Sequence, residues 1–114
     1  MYQVTKRLEV AGAHSLTLPY KSKCTNLHGH NWIITVICQC ADTALTNGMV
    51  IDFAYIKLAV MALDHTNLNG LVSQPTAEAL AKFIADSIEH CTLVRVQESE
   101  DNEACYMKPT HVCL

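Results

Sequence analysis

The 114-residue sequence is short of charged residues and contains no long apolar stretch. Charged residues make up 17% of the chain, and the formal net charge is -3 at pH 7. This balance gives no general electrostatic reason to expect binding to nucleic acid or to an anionic membrane, so an anionic ligand would need local positive charge. No apolar run approaches the ~20 residues of a transmembrane helix, and residues 1–10 lack the apolar segment of a secretory signal peptide. We therefore expect a cytoplasmic protein.

The sequence also lacks a Cys-x-x-Cys pair, internal repeats, linkers and low-complexity segments. It contains six cysteines, but 50% of its residues are hydrophobic, so a core can form without disulfide bonds. We expect Cys38 and Cys40, which share a strand face, to be reduced and to pack as small apolar residues. The length and the composition predict one globular domain over residues 1–114.

The hydrophobic periodicity predicts an α+β fold with the element order β-β-β-α-α-β-β and a mainly antiparallel sheet. Apolar residues at helical spacing predict a helix over 53–63 after the N-cap Asp52, and a second helix from Pro75-Thr76 to about residue 90. Asn47-Gly48 is typical of a type I′ turn, and residues 15–27 are predicted to form a loop. The predicted strands cover residues 2–10, 28–40, 49–51, 93–98 and 104–107.

A thiol and two imidazoles lie within residues 24–30, at the start of the second predicted strand. His28 and His30 are two residues apart, and alternate residues of a strand project from one face at a spacing of ~6–7 Å. His14, at the end of the first strand, is the natural third ligand because sequential strands usually pair. Catalytic zinc sites typically have three protein ligands and an open position. The pattern predicts a zinc site. The alternative is that these are ordinary polar histidines at a strand end.

The spacing alone leaves two roles open for Cys24. It fits a fourth zinc ligand, which would close the site and make it structural, or a reactive thiolate near zinc and a base. Asp64 and His65 are adjacent in a predicted loop, where His65 could set the protonation of the thiol while Asp64 orients the ring. The alternative for His65 is to bind the last carbonyl groups of the preceding helix.

Charged residues elsewhere in the chain are candidates for contacts with a substrate. Glu98 shares the face of the apolar residues in its strand and could bind the paired N–H groups of a guanidine-like edge. The alternative is a solvated acid at a strand end. Lys21, Lys23 and Arg7 could hold a phosphate, or could be ordinary surface charges.

Together the motifs resemble the 6-pyruvoyl-tetrahydropterin synthase family, and within it the 6-carboxy-tetrahydropterin synthase branch of queuosine precursor biosynthesis. The three-residue gap between Cys24 and His28 resembles the carboxy branch. The resembling segments, in chain order, are Ala13-His14, Cys24-x-x-x-His28-Gly29-His30-Asn31, Gly48-Met49-Val50-Ile51-Asp52-Phe53, Leu63-Asp64-His65-x-x-Leu68-Asn69, Pro75-Thr76-Ala77-Glu78 and Val96-Gln97-Glu98-Ser99.

The resemblance implies the tunnelling fold, a four-stranded antiparallel sheet with two helices on one face. It also implies a homo-oligomer, a trimer or a dimer of trimers, in which the subunits join their sheets into a barrel and share active sites. The implied site residues are a zinc set of His14, His28 and His30, a catalytic triad of Cys24, Asp64 and His65, and the pterin anchor Glu98.

The activity that the resemblance implies is zinc-dependent conversion of 7,8-dihydroneopterin triphosphate to 6-carboxy-5,6,7,8-tetrahydropterin, with release of triphosphate and acetaldehyde. Cys24, tuned by Asp64 and His65, would move protons, and Lys23 would help to bind the triphosphate. One alternative is the pyruvoyl-forming reaction, which only eliminates triphosphate. The other is a non-catalytic, zinc-stabilised oligomerisation module, which would need neither the Asp64-His65 pair nor Glu98.

Overall fold

The structure, a computed structural model, describes residues 1–114 and has an α+β architecture. Short 3-10 turns occupy Lys23–Thr25, Asp42–Ala44 and Leu68–Gly70. No helix is both long and apolar enough to cross a bilayer. The strands are β1 (Tyr2–His14), β2 (His28–Cys40), β3 (Thr66–Asn67), β4 (Cys91–Ser99) and β5 (Asn102–Met107), and the helices are α1 (Phe53–Met61) and α2 (Ala77–Ser87).

The strands form one sheet of five in the order β3-β1-β2-β4-β5. The pairs β1–β2, β2–β4 and β4–β5 are antiparallel, so the four long strands match the predicted antiparallel sheet. β1 and β2 pair along their whole length, from Tyr2 opposite Cys40 to His14 opposite His28. The additional strand, β3, has two residues and runs parallel to β1 beside Gly12.

The predicted strand at residues 49–51 is wrong. Thr46 and Met49 form one isolated bridge across the predicted turn, in which Asn47 and Gly48 have φ angles of 53° and 75°. Positive φ at both central residues is the requirement of a type I′ turn, so the turn prediction is confirmed. Val50 is buried in the core without a partner strand. An apolar run this short fits a buried connection as well as a strand, and periodicity does not distinguish the two.

Several predicted element boundaries shift: α1 ends at Met61 rather than 63, β4 begins at Cys91 rather than 93, and β5 begins at Asn102 rather than 104. β1 continues to His14 because every residue up to that point pairs with β2. α2 ends at Ser87 because Ile88 adopts an extended conformation, with φ -123° and ψ 124°, and buries its side chain in the core. α1 starts as predicted, since the Asp52 side chain accepts a hydrogen bond from the backbone N–H of Ala54 at 2.8 Å. α2 begins at Ala77, after the N-cap Thr76, whose hydroxyl accepts from the Ala79 N–H at 3.1 Å.

Both helices pack on one face of the sheet, where they cover the alternate residues of β1 and β2 that point inward. α1 packs against β1, and α2 packs against β4 and β5. His28 and His30 continue the inward-facing set of β2, so the imidazoles stand at the end of a packed surface. The buried residues that join strands and helices include Val10, Trp32, Ile34, Val36, Ile56, Val60, Leu63, Leu80, Ile84, Val94 and Val96.

Gly12 is a position in β1 where an added side chain meets an immediate obstacle. A Cβ on Gly12 would lie 3.1 Å from Cδ1 of Leu68, which is fully buried. We expect Gly12→Val to reduce the free energy of unfolding by ~1–3 kcal/mol, the usual cost of overpacking. Gly29→Ala is the control, because the nearest atom to its Cβ is the Gly12 carbonyl oxygen at 3.9 Å. Urea denaturation compares the two variants, and equal losses would contradict this account of Gly12.

Candidate metal centre and active site

Three imidazoles meet where β1 ends and β2 begins. The strand register places His14 directly opposite His28 and Gly12 opposite His30, so the three rings lie on one face of the sheet. The ring centroids are 4.5 Å apart for His14 and His28, 5.2 Å for His14 and His30, and 4.8 Å for His28 and His30. The three histidines named from the sequence are therefore neighbours in space.

Backbone carbonyl groups orient two of the rings through their Nδ1 atoms. Nδ1 of His14 lies 2.7 Å from the Pro75 carbonyl oxygen, and Nδ1 of His28 lies 2.7 Å from that of Asn26. A carbonyl oxygen only accepts hydrogen bonds, so each Nδ1 carries the hydrogen and each neutral ring leaves a lone pair on Nε2. This outer support of a ring is typical of histidines that bind metals.

Trp32 supports the rings from the side of the core. It is 1% exposed, and its ring lies 4.9 Å from that of His14 and 5.1 Å from that of His30, both in edge-to-face geometry. The indole N–H donates to the Gly12 carbonyl oxygen at 3.1 Å, which satisfies the one polar group of this side chain. The imidazoles are thus held in place before any ligand binds.

Glu98 completes a set of four potential metal ligands. Its Oε1 lies 3.3 Å from Nε2 of His14 and 3.1 Å from Nε2 of His30. The ligand atoms of Glu98 and the three histidines all lie within 4.8 Å of one another, so this cluster could hold a metal ion. Nε2 of His14 and Nε2 of His30 are buried without a hydrogen-bond partner, and a donor set of three imidazoles and a carboxylate suits zinc.

The electrostatic environment lowers the pKa of His30, which favours its neutral form. Burial lowers the pKa of His30 because it removes water from the charged ring, and the neighbouring His14 and His28 lower it further. Glu98 opposes this shift, but the net direction of the pKa is downward. Metals bind the neutral imidazole, so the shift favours the form that can act as a ligand near neutral pH.

Asp64 and His65 are fixed to β1 through one residue, Ala11. The Asp64 Oδ1 accepts a hydrogen bond from the Ala11 N–H at 2.8 Å, and the His65 N–H donates to the Ala11 carbonyl oxygen at 2.6 Å. His65 has a left-handed φ of 55°, and its Nε2 lies 3.5 Å from Oδ2 of Asp64. The His65 side chain is 83% exposed, and the hydroxyl of Thr66 rather than the His65 ring bonds the Leu63 carbonyl. The alternative of His65 as a helix cap is therefore wrong.

A cavity of about 530 Å³ adjoins both His30 and His65. Small residues, Ala11, Ala13 and Gly29, leave its floor uncrowded. Its volume lies within the ~300–1,000 Å³ that small-molecule sites occupy. One residue of the imidazole cluster, His30, and one of the Asp64-His65 pair, His65, thus border the same cavity.

Cys24 does not join either group within the chain. It is partly buried in the 3-10 turn Lys23–Thr25, where its N–H donates to the Ser22 hydroxyl at 3.1 Å. Its thiol makes no hydrogen bond to Asp64 or His65 and is not part of the four-ligand cluster. All six cysteines are free thiols.

The candidate phosphate ligands differ in position. Lys21 and Lys23 are exposed beside Cys24 and make no ion pair, so their charges remain available. Arg7 lies in β1, seven residues before His14, which is ~23 Å along a strand. Arg7 is therefore too distant to contact a ligand at the cluster of its own chain.

The sequence motifs contain two supporting residues whose roles only the structure reveals. Pro75 acts through its backbone carbonyl, so no side-chain property points to its contact with His14. Asn69 brackets Ser15, since its Oδ1 accepts from the Ser15 N–H at 2.8 Å and its Nδ2 donates to the Ser15 carbonyl at 2.9 Å. The one indication in the sequence that these residues have a role is that both stand in segments that resemble the family.

The imidazole cluster predicts that metal binding depends on each of its histidines. We expect about one metal ion per chain in the wild-type protein and a strong loss of bound metal in His28→Ala, because two imidazoles cannot replace three. His65→Ala is the matched control, since this ring lies outside the cluster and is largely exposed. Elemental analysis after dialysis measures the occupancy. Full occupancy in His28→Ala would exclude this ligand set.

Comparison with known proteins matches residues 3–109 to the family model described as 6-pyruvoyl tetrahydropterin synthase. A relative from Archaeoglobus fulgidus, with the provisional name 6-carboxy-5,6,7,8-tetrahydropterin synthase, is 35% identical over 102 residues, which cover 82% of this chain and 85% of the relative. A dihydroneopterin monophosphate aldolase from Pyrococcus furiosus is 29% identical over 90 residues, which cover 75% of this chain and 74% of the relative.

A solved structure has the same fold. The Caenorhabditis elegans 6-pyruvoyl tetrahydropterin synthase superposes with a TM-score of 0.71 at 23% identity, over 93% of this chain and 94% of that one. The tunnelling fold and the family resemblance are thus confirmed. Because the family model spans nearly the whole chain, the protein belongs to the 6-pyruvoyl tetrahydropterin synthase family.

Proposed function

We propose that the protein is a zinc-dependent lyase that converts 7,8-dihydroneopterin triphosphate to 6-carboxy-5,6,7,8-tetrahydropterin, with release of triphosphate and acetaldehyde, in queuosine precursor biosynthesis. The observation that carries the proposal is the imidazole cluster, whose His30 shares a cavity with His65. The similarity to the Archaeoglobus fulgidus relative supports the carboxy branch, as does the gap between Cys24 and His28.

His14, His28 and His30 would hold the zinc ion through their Nε2 atoms. The hydrogen bonds from Nδ1 to Pro75 and Asn26 orient two of the rings for this purpose. When bound, zinc supplies a Lewis acid that acidifies C–H and O–H bonds beside substrate oxygens. The protein contribution is a set of three imidazoles, two of which are oriented by backbone carbonyl groups.

Glu98 would anchor the pterin ring. The amino group and the adjacent ring N–H of a pterin form a guanidine-like edge, which a carboxylate can bind through two parallel hydrogen bonds. Glu98 is 30% exposed and lines a cavity of about 390 Å³ together with Glu78 and Glu103. The unpaired ammonium groups of Lys21 and Lys23 are suited to the triphosphate end of the substrate.

Cys24, Asp64 and His65 would transfer protons on the substrate side chain. Asp64 can orient the His65 ring, and the ring can take up the proton of the thiol. Because the Cys24 thiol makes no hydrogen bond to this pair in its own chain, we propose that the triad is completed across a subunit interface. The Cys24 of one subunit would then work with the Asp64-His65 pair of another.

The sheet edges are suited to such an assembly, a homo-oligomer that is a trimer or a dimer of trimers. β5 lies at one edge without an outer partner, and on the other side β3 covers only Gly12 and Ala13 of β1. Unpaired edges are templates for pairing with another chain. Exposed apolar side chains near the N-terminus of β1 and on α1 add surface for burial, among them Tyr2, Phe53, Tyr55 and Leu58. Joined edges would form the barrel that is expected of the family.

A second candidate function is the aldolase reaction on dihydroneopterin monophosphate. It is favoured by the similarity to the Pyrococcus furiosus aldolase, which covers three quarters of this chain. The two functions differ in the number of phosphate groups that the site must accommodate. Substrate preference therefore separates them.

The decisive experiment is mass spectrometry of the products from dihydroneopterin triphosphate and dihydroneopterin monophosphate. We expect 6-carboxy-tetrahydropterin, triphosphate and acetaldehyde from the triphosphate. Elimination of triphosphate without acetaldehyde would instead establish the pyruvoyl-forming reaction. Consumption of the monophosphate alone would favour the aldolase, and the absence of any turnover with full metal occupancy would favour a non-catalytic module.

The proposed proton transfer predicts a separation between metal binding and turnover. We expect Cys24→Ala to retain its metal but to lose turnover by ~10²–10⁴-fold, the usual contribution of a general acid or base. The control is Cys113→Ala, which removes an exposed thiol at the C-terminus. Mixing Cys24→Ala with His65→Ala subunits should restore activity to about a quarter, because statistical mixing completes that share of sites shared between subunits. No recovery in verified mixed oligomers would place the triad within one chain.

A further inference from the structure

The distances around Glu98 match those between ligands of one metal ion. Two ligand atoms that bind a tetrahedral zinc at ~2.0–2.1 Å are separated by ~3.3–3.4 Å. Oε1 of Glu98 lies 3.3 Å from Nε2 of His14 and 3.1 Å from Nε2 of His30. The carboxylate oxygen therefore lies about as far from two of the imidazole nitrogens as a fourth ligand of one metal ion would lie.

The hydrogen-bonding pattern argues against a simple contact between Glu98 and the rings. Nδ1 of His14 is committed to the Pro75 carbonyl, so in the neutral ring Nε2 has a lone pair and no hydrogen to donate. Nε2 of His30 is likewise buried without a hydrogen-bond partner. The Nε2 lone pair of His14, which faces the carboxylate oxygen, repels it. A cation between these atoms would turn the same arrangement into a favourable one.

Glu98 lies at an irregularity in the pairing of β4 with β5. The pairing of β4 with β5 shifts register between Gln97 and Ser99, so Glu98 lies at a bulge. Bulges redirect a side chain and interrupt the ladder, which leaves the residue freer to move than one within a regular strand. Glu98 also lines the cavity of about 390 Å³ beside Glu103, so its carboxylate has space to turn away from the imidazoles.

We propose that Glu98 is the fourth metal ligand of the substrate-free site, and that the pterin ring of the substrate draws it off the metal. The inference rests on the proposed function and deepens it, since the pterin anchor becomes the group that closes the empty site. A site with four protein ligands is closed, whereas catalysis needs an open position. The open position would thus arise only when a guanidine-like edge offers the carboxylate two N–H donors.

The first test measures how tightly the protein holds zinc. We expect Glu98→Gln to lower zinc affinity by more than ~10²-fold, beyond the ~10–100-fold typical of an outer-shell partner. The matched control is Glu103→Gln, because this carboxylate lines the same cavity but lies outside the cluster. Competition with a chromophoric chelator gives the affinities without any turnover. Equal zinc affinities in the Glu98→Gln variant and the wild type would overturn the inference.

The second test uses the Co²⁺-substituted protein and azide, a small anion that binds an open metal position and changes the visible spectrum. We expect azide to bind Co²⁺-loaded Glu98→Ala at least about 10-fold more tightly than the Co²⁺-loaded wild type. Unsubstituted pterin has the N–H edge but no side-chain oxygens, so its addition should make the wild type as accessible to azide as the variant. Azide binding that is the same in all three samples would overturn the inference.

The outcomes separate this inference from the proposed function. If zinc and azide binding depend on Glu98 but dihydroneopterin triphosphate is not converted, the resting-state ligand stands and the proposed reaction fails. If the reaction proceeds but neither binding measurement depends on Glu98, the reaction stands and the ligand role of Glu98 is refuted. Because neither binding measurement requires turnover, the two results are independent.

Discussion

The antiparallel register between β1 and β2 is the constraint on which the candidate site depends. It sets His14 opposite His28 and Gly12 opposite His30, and the same pairing continues without interruption to Tyr2 and Cys40. A slip of one residue would turn a strand's imidazoles to the opposite face of the sheet. The hydrophobic face that the helices cover prevents such a slip, since it would expose Val10 or Trp32. The register that buries the core residues is therefore the same register that places the three imidazoles together.

The second feature of the site is that its polar groups are oriented before a ligand is present. The Pro75 and Asn26 carbonyl oxygens fix the hydrogens of the His14 and His28 rings on Nδ1, and burial lowers the pKa of His30, which favours its neutral form. A convergence of buried, unpaired acceptors is costly for the fold alone. Such a cost is common at functional sites, where a ligand offsets it.

The isolated chain holds the candidate site residues in two places. His30 and His65 border one cavity, whereas Cys24 lies in a separate turn, makes no hydrogen bond to Asp64 or His65 and is not part of the four-ligand cluster. The open edges of the sheet offer a direct physical means to bring them together, because edge pairing places residues of neighbouring chains at one end of a barrel. Assembly and catalysis would then be coupled, and a subunit that cannot pair its edges would lack a complete triad.

The sequence by itself determined the features that depend on local pattern. The two-residue period placed His28 and His30 on one face, Asp52 and Thr76 marked the starts of the helices, and Asn47-Gly48 determined the turn. The resemblance of the ordered motifs supplied the tunnelling fold, which composition and periodicity did not. The short run at residues 49–51 was misassigned because it is too brief for its period to identify a strand.

Only the tertiary structure decided which groups hydrogen-bond the imidazole rings and where Glu98 lies. The carbonyl that orients His14 comes from Pro75, 61 residues along the chain, and acts through the backbone. Strand parity put Glu98 on the inner face, but its distance to His14 and His30 follows from the packing of β4 beside β2 and from the bulge at its end. Contacts of this kind depend on the closure of the whole sheet, and the local period of a strand carries no information about them.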